Sequence, residues 1–444
     1  MAQNKKTPML LFSCMIAFLL TGFSFTPWTS SKQPSAPAPK QVVWLNVFIH
    51  GIMSIKPHLS WNNFMLFMKD KVSGTLYEKT VELMREDPFF YKNQAMQQPG
   101  LHPIEPALTE GDSCANLAFV LNAVAHHYNV SPHKNLYYTF GWSGLLSAKS
   151  RYQSAKQLFK ALQKEVNRLK GENKEVRVRI FGYSHGGNVG LNLARVREQD
   201  YPQSTLSIDE LVLLGSPIIR ETDYLINDPI FKEVYNIYSL RDRVQPLDIF
   251  APKQTFSKRT FHARKEFQLP DKLIQIQLKV TRCKKDACKD PIRYAQSLDL
   301  SRRKVVLGKS GLLRDMSPGH MELWFFGWTP VHYRSSYPLH PLPTVAFAPP
   351  IMHHARKMAE HILPKHSIIA DIRPEHNIIL FRRQGKHTID STISYLPQDT
   401  LDELHTAIHS CKPELYSEDI YKAHVSDALK NARKALEISR SNEP

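Results

Sequence analysis

The pentapeptide Gly182-Tyr183-Ser184-His185-Gly186 has the clearest chemical content of any stretch in this sequence. It follows the pattern G-x-S-x-G, with the apolar run VRVRIFGY (176–183) before it and a helical pattern from Gly187 to Arg197 after it. A serine on a sharp strand-to-helix turn is held at strained backbone angles, and glycines two residues to either side let strand and helix pass closely. Its hydroxyl then stands at the end of a sheet, beside a helix N-terminus whose partial positive charge favours a developing anion. Ser184 is therefore the candidate nucleophile. The stretch can also be read as a Gly-rich turn with a capping serine, or as a phosphate-binding loop, although it lacks the Lys-Ser/Thr ending of a P-loop.

A serine hydroxyl is a weak nucleophile at neutral pH. It needs a base, and the base needs an acid that orients it. The strand-like run VYNIYSL (234–240) leads directly into Arg241-Asp242, which puts Asp242 on the edge that carries the serine. Asp also serves widely as a cap or turn residue, and Asp248 and Asp315 are competitors. The base should follow the next strand. His320, in SPGHMELWFFG, comes after a glycine and before an apolar run that would anchor its loop. The chain holds twenty histidines, so any one is a weak signal alone; His332, His340, His353 and His354 also lie downstream. An oxyanion needs preorganised N–H donors. The backbone N–H of His185 is one candidate, and that of Ile52, just past His50-Gly51 at the end of VVWLNVFIH (42–50), is the other.

These residues require a sheet to position them, and the hydropathy pattern supplies one. VVWLNVFIH is a continuous apolar run of the kind expected for a buried parallel strand. NLYYTFGW (135–142), VRVRIFGY, LVLLGSP (211–217), VYNIYSL and LIQIQLKV (273–280) read as further strands. Between them lie helical patterns, including SAKQLFKALQKEVNRLKG (154–171) with Gly171 at its end. Strands alternating with helices imply a mostly parallel α/β sheet covered on both faces.

The HG at 50–51, the FGWSG at 140–144 with Arg151 and the following helix, and GYSHGGNV at 182–189 together resemble bacterial lipase- or esterase-like α/β-hydrolases. The resemblance spans roughly residues 42–325. It implies an α/β-hydrolase fold, with Ser184 as nucleophile and His185 and Ile52 as oxyanion donors; Asp242 and His320 match by order and strand position. A serine esterase acting on an ester or lipid substrate is the expected activity, with no metal or organic cofactor. An acyltransferase on the same residues, or a non-catalytic binding protein on the same scaffold, remains open. The chain departs from a compact member in the roughly eighty residues between the HG and WSG segments.

The expected organisation is a signal peptide or membrane anchor at 1–25, a linker at 26–40, a hydrolase domain at 41–330 and a C-terminal extension at 331–444. Lys5 and Lys6 followed by the apolar run 8–25 suggest export to a periplasmic or secreted location, or anchoring in a membrane. Within the domain, 55–133 is a cap-like helical insertion carrying NFMLFMK and AFVLNAV, either a lid over the site or helices packed on the sheet edge. Residues 251–310 form a basic insertion. The net charge is +17 over 444 residues, and this segment holds sixteen Lys and Arg against five Asp and Glu. It is either a rim for an anionic membrane surface or a solvated hairpin. Sparse aromatics argue against nucleic acid. Oligomeric state is left open.

An exported chain permits disulfides. Of the four cysteines beyond the leader, Cys283 and Cys288 are close enough for a hairpin bridge, with a zinc site as a weaker alternative, which leaves Cys114 with Cys411.

Overall fold

The computed structural model describes residues 40–52, 70–90, 97–109, 112–130, 133–247, 256–283, 298–299, 304–305, 313–324, 338–339, 342–361, 367–386, 388–411 and 418–441. The expected leader, the NFMLFMK segment, Cys288, Asp248, His332 and His340 lie outside them.

In chain order the first elements are β1 (Gln41–Ile49), α1 (Leu76–Glu86), β2 (Gly100–Ile104), α2 (Ser113–His127), β3 (Lys134–Gly141), α3 (Ala148–Gly171) and β4 (Lys174–Tyr183). They are followed by α4 (His185–Asp200), β5 (Ile208–Leu214), β6 (Phe231–Tyr238) and β7 (Leu273–Cys283). Then come the short pair β8 (Leu298–Asp299) and β9 (Lys304–Val305), β10 (Leu313–Asp315), α5 (His320–Trp324) and α6 (Ala348–Ala359). The chain closes with β11 (Ile368–Arg373), β12 (Ile378–Arg383), β13 (Ser391–Ser394), α7 (Gln398–Ser410) and α8 (Glu418–Ser441).

The fold is α/β, built on one mixed, mostly parallel sheet of eleven strands. Its order is β13-β12-β11-β7-β6-β5-β4-β1-β3-β2, with β10 paired to the end of β7. From β3 through β11 neighbouring strands run parallel, and the outer strands β2, β12 and β13 are antiparallel. The chain leaves β1 for β3 on one side and returns to β4 on the other. That reversal leaves a crevice at the carboxyl ends of the strands, where open α/β sheets bind ligands.

Alternation along β1 shows why its run is apolar throughout. Leu45, Val47 and Ile49 pack on the face covered by Leu158, Phe159 and Leu162 of α3 and Val189 and Leu193 of α4. Phe48 points to the opposite face, among Leu117, Leu121 and Val124 of α2 and Ile351 and Met352 of α6. Each such side chain taken out of water contributes roughly 1.5–3 kcal/mol. Ser147 caps α3 by accepting from the Ser150 N–H at 3.0 Å.

Three expected boundaries need correction. The segment 55–133 is not simply a helical cap: β2 joins the sheet edge beside β3, and AFVLNAV lies in α2, which is buried against the sheet. Its apolar residues cover the sheet face and leave no free side to form a lid. The region 331–444 is not an appendage, because β11, β12 and β13 extend the same sheet and β11 lies parallel to β7. The stretch KHSIIADIRPEHNIILFRR reads as two short strands, but nothing local in it signals insertion into the central sheet. Helix α8 instead packs on α1, with Tyr421, Val425 and Ala428 against Val81, Met84 and Phe90. Finally, 251–310 is not an insertion throughout, since β7 is an interior strand. Several of its cations already have partners: Arg264 pairs with Asp223, Arg282 with Glu375, and Lys272 donates to the carbonyls of Asp228 and Phe231.

Cys114 and Cys411 do not form the expected bridge; both are buried free thiols. Burial pushes the Cys114 thiol well above its ordinary pKa, which suits an inert core side chain. The Cys283–Cys288 pairing falls outside the described residues. Among the described residues no helix is long and apolar enough to cross a membrane, and no group of three or more His, Cys, Asp or Glu could hold a metal ion.

Candidate active site

Strand β4 ends at Tyr183 and helix α4 begins at His185, so Ser184 alone makes the turn. Its backbone has φ 51° and ψ −129°, in a region that L-residues avoid. Such strain costs on the order of 1–3 kcal/mol and persists only where the surroundings over-determine it. Here they do. A Cβ on Gly182 would lie 2.6 Å from the Gly187 Cα, and one on Gly186 would lie 2.5 Å from the carbonyl oxygens of Ile49 and His50. Only hydrogen fits at either position, so strand, turn and helix close onto the end of β1. The Ser184 N–H is held by the Leu214 carbonyl of β5 at 2.9 Å. Although Ser184 stands at the N-cap position, its side chain makes no capping hydrogen bond, which removes the reading of a capping serine.

The hydroxyl instead faces a histidine: Ser184 Oγ lies 3.1 Å from His320 Nε2. On the far side of the ring, His320 Nδ1 lies 2.7 Å from Asp242 Oδ2. A carboxylate accepts only, so Nδ1 carries the proton and Nε2 is left to accept from the serine hydroxyl. Asp242 has no solvent exposure. Its Oδ1 accepts the backbone N–H groups of Val244 and Gln245, both at 2.9 Å, which closes the turn after β6 and fixes the carboxylate plane. Arg259 donates to the Asp242 carbonyl from Nε at 3.0 Å and Nη2 at 2.6 Å. Gly215, at φ +56°, lies under the pair; a Cβ there would come 3.0 Å from Asp242 Oδ2. Tyr183 supports the base, donating its hydroxyl to the His320 carbonyl at 3.2 Å while its ring stacks on Trp324.

The oxyanion candidates sit close by. His185 is the first residue of α4, where backbone N–H groups lack intrahelical acceptors. Gly51 abuts the nucleophile, since a Cβ on it would lie 2.9 Å from the Ser184 Cβ, and Ile52 follows directly. The loop is pinned by Trp142, whose indole N–H donates to the His50 carbonyl at 2.7 Å, and the two rings stack at 5.7 Å. Burial, reinforced by Arg85, lowers the His50 pKa to about 3, so this ring is neutral at physiological pH.

Of the five sequence-derived residues, Ser184, His320 and Asp242 are joined by direct hydrogen bonds, His185 follows Ser184 in the chain, and Ile52 follows Gly51, which abuts Ser184. Of the competing acids, Asp315 spends Oδ1 on the Ser317 N–H and hydroxyl. His353 and His354 belong to α6 and touch neither Ser184 nor Asp242. Arg259, Gly215 and Tyr183 were not singled out from the sequence. Tyr183 lay inside the motif, whereas nothing local marks Arg259 or Gly215. Cavities adjoin the acid loop. One of about 840 Å³ is bordered by Leu240, Pro246, Lys258 and Arg259, and another of about 510 Å³ by Arg241, Arg243, Arg314 and Gly319.

The arrangement can transfer a proton from a serine hydroxyl to an imidazole whose orientation and tautomer a buried carboxylate holds. No protein-family model matches the chain, and no curated protein matches it.

Proposed function

We propose that this chain is an exported serine hydrolase of the α/β-hydrolase type that cleaves carboxylic, acyl or lipid esters. The observation that carries the reading is the unbroken chain from Asp242 through His320 to Ser184, ending on a serine at a strained strand-to-helix turn. Ser184 Oγ attacks the ester carbonyl while His320 takes its proton. The N–H groups of His185 and Ile52 receive the negative charge on the carbonyl oxygen. Collapse expels the alcohol, which leaves with the proton from His320. Water, activated by the same imidazole, then releases the acid and frees Ser184.

Acyl esters are favoured by the surroundings of the acid and base. Leu240, Val244, Phe256 and Met321 are 56, 54, 58 and 50% exposed, and each lies on or beside the loops that carry Asp242 and His320. Apolar side chains held in water around a reactive group suit a substrate that covers them. The reading is tested with a fluorophosphonate probe. Labelling of the wild type that disappears in Ser184→Ala is expected; a folded wild type that takes no label would overturn the reading in favour of a non-catalytic scaffold.

A further inference from the structure

The FGWSG segment and Arg151 stand out in the sequence, yet the triad uses neither. Both bear on the residues that carry the oxyanion donors. Trp142 of that segment holds the His50 carbonyl at 2.7 Å, two residues before Ile52. Arg151 lies in the first turn of α3 and is only 4% exposed. Its Nη1 donates to Nδ1 of His185 at 3.4 Å, and His185 is itself 3% exposed. A guanidinium only donates, so His185 Nδ1 accepts and its Nε2 carries the hydrogen. The start of α3 is fixed independently, since Asp70 accepts the N–H groups of Ala148 and Lys149 at 3.0 and 2.9 Å.

We infer that Arg151 is a positioning residue for the oxyanion hole, acting through the ring of His185. The inference rests on the serine-hydrolase reading above, in which the His185 backbone N–H receives the developing charge. A trans peptide is planar, so that N–H points opposite to the Ser184 carbonyl. The carbonyl accepts from the Gly187 N–H at 3.1 Å, inside the first turn of α4, which leaves the His185 N–H directed out of the helix. The peptide between residues 184 and 185 adjoins a strained backbone, with Ser184 at φ 51° and ψ −129°. Rotation of this peptide would relieve the strain and swing the donor away. Tethers on either side oppose it. On the strand side the Ser184 N–H is held by the Leu214 carbonyl at 2.9 Å. On the helix side the His185 ring is held by Arg151, whose planar guanidinium is a rigid donor.

The test measures kcat and KM on a soluble butyrate ester, with active sites counted by fluorophosphonate titration to completion. His185→Ala removes the ring and keeps the backbone donor. It is expected to lower kcat about ten- to a hundred-fold with KM little changed, short of the roughly 10²–10³ that losing a whole donor costs. His185→Asn sets an amide oxygen where Nδ1 stood, can still accept from Arg151, and is expected to stay within about three-fold of wild type. Arg151→Met should cost as much as His185→Ala, and the double variant no more than either alone, because the two act as one unit. Equal losses in the Ala and Asn variants, additive losses in the double variant, or a change confined to KM would overturn the inference. Tyr152→Phe controls for loosening of the helix pair: it removes the bond of 2.6 Å from α3 to Asp200 at the far end of α4. A lower melting temperature with wild-type kcat is expected there, and a loss of kcat equal to that of Arg151→Met would also overturn the role. If Arg151→Met does not fold, the two His185 variants decide alone. A folded wild type that takes no label sinks the hydrolase reading; a labelled wild type whose variants lack this pattern sinks the role of Arg151 and leaves that reading standing.

Discussion

The nucleophile turn and the acid–base pair are assembled in different ways. The turn is local: β4, Ser184 and α4 are consecutive, and the crowding that forces Ser184 into its strained conformation comes from glycines within the same stretch and from the adjoining end of β1. The acid and base are brought together over 78 residues, from the loop after β6 and the segment after β10. Tyr183 holds the His320 carbonyl from 137 residues away, and Arg259 clamps the Asp242 carbonyl from 17. A local device is robust and readable; one assembled over long range depends on the whole sheet being in register.

Substitutions can break that contrast at graded cost. Ser184→Ala removes the attacking atom and is expected to lower kcat by roughly 10⁴–10⁶-fold, measured on a soluble ester. Asp242→Asn keeps the shape but lets the wrong imidazole tautomer form. A loss of about 10⁴ in kcat is expected, with KM little changed and the melting temperature close to wild type. Gly186→Ala tests the turn through stability: a methyl pressed against the Ile49 and His50 carbonyls should destabilise by about 1–3 kcal/mol. The contrast is Gly171→Ala at the end of α3, where a Cβ meets nothing within 4 Å. There a gain of about 0.4–1 kcal/mol is expected, and denaturant midpoints measure both. Arg259→Gln should cut kcat by about ten-fold through the acid loop, roughly one charged hydrogen bond's worth. Partial recovery with Arg259→Lys, read in kcat and not in melting temperature, separates a positioning role from a merely structural one.

The smallest expected effect is on pH dependence. His50 has its pKa lowered from 6.5 to about 3, chiefly by burial, so the folded state binds fewer protons than the unfolded chain between those values. Its contribution to stability is therefore full above pH 6.5 and is lost as pH falls towards 3. Replacement by Asn, whose amide reproduces the Nδ1–H donor to the Gly51 carbonyl at 2.7 Å, should flatten the acid limb of stability against pH. Denaturant midpoints at pH 7 and pH 4.5 would show it; an unchanged slope would mean that the ring is hydrated and free to take a proton.

The same distinction explains what was legible in the sequence. The strand before Ser184, the helix after it and the alternation of β1 and β3 through β7 are encoded in runs of apolar residues and in glycines at fixed offsets. Their observed bounds shift by one to a few residues. Asp242 was legible because it follows a strand directly, and His320 because of its order and neighbouring glycine. Arg259 was hidden in a segment noticed only for its charge; among the described residues of that segment Arg264 pairs with Asp223, Arg282 with Glu375, and Arg259 and Lys272 donate to backbone carbonyls. Strands β11 and β12 were readable as strands but not as members of the central sheet, because pairing with β7 is a contact across about ninety residues that no local pattern encodes. Cys114 and Cys411 misled for a similar reason. Pairing by elimination counts thiols, whereas burial in an apolar core needs no bridge to explain it.

The most direct measurement is mass spectrometry of the protein quenched during turnover of an activated short-chain ester. One acyl group on the peptide that contains Ser184, present in wild type and absent in Ser184→Ala, is the expected result. Hydrolysis that proceeds with no acyl group on that peptide, or with it on another residue, would contradict the account.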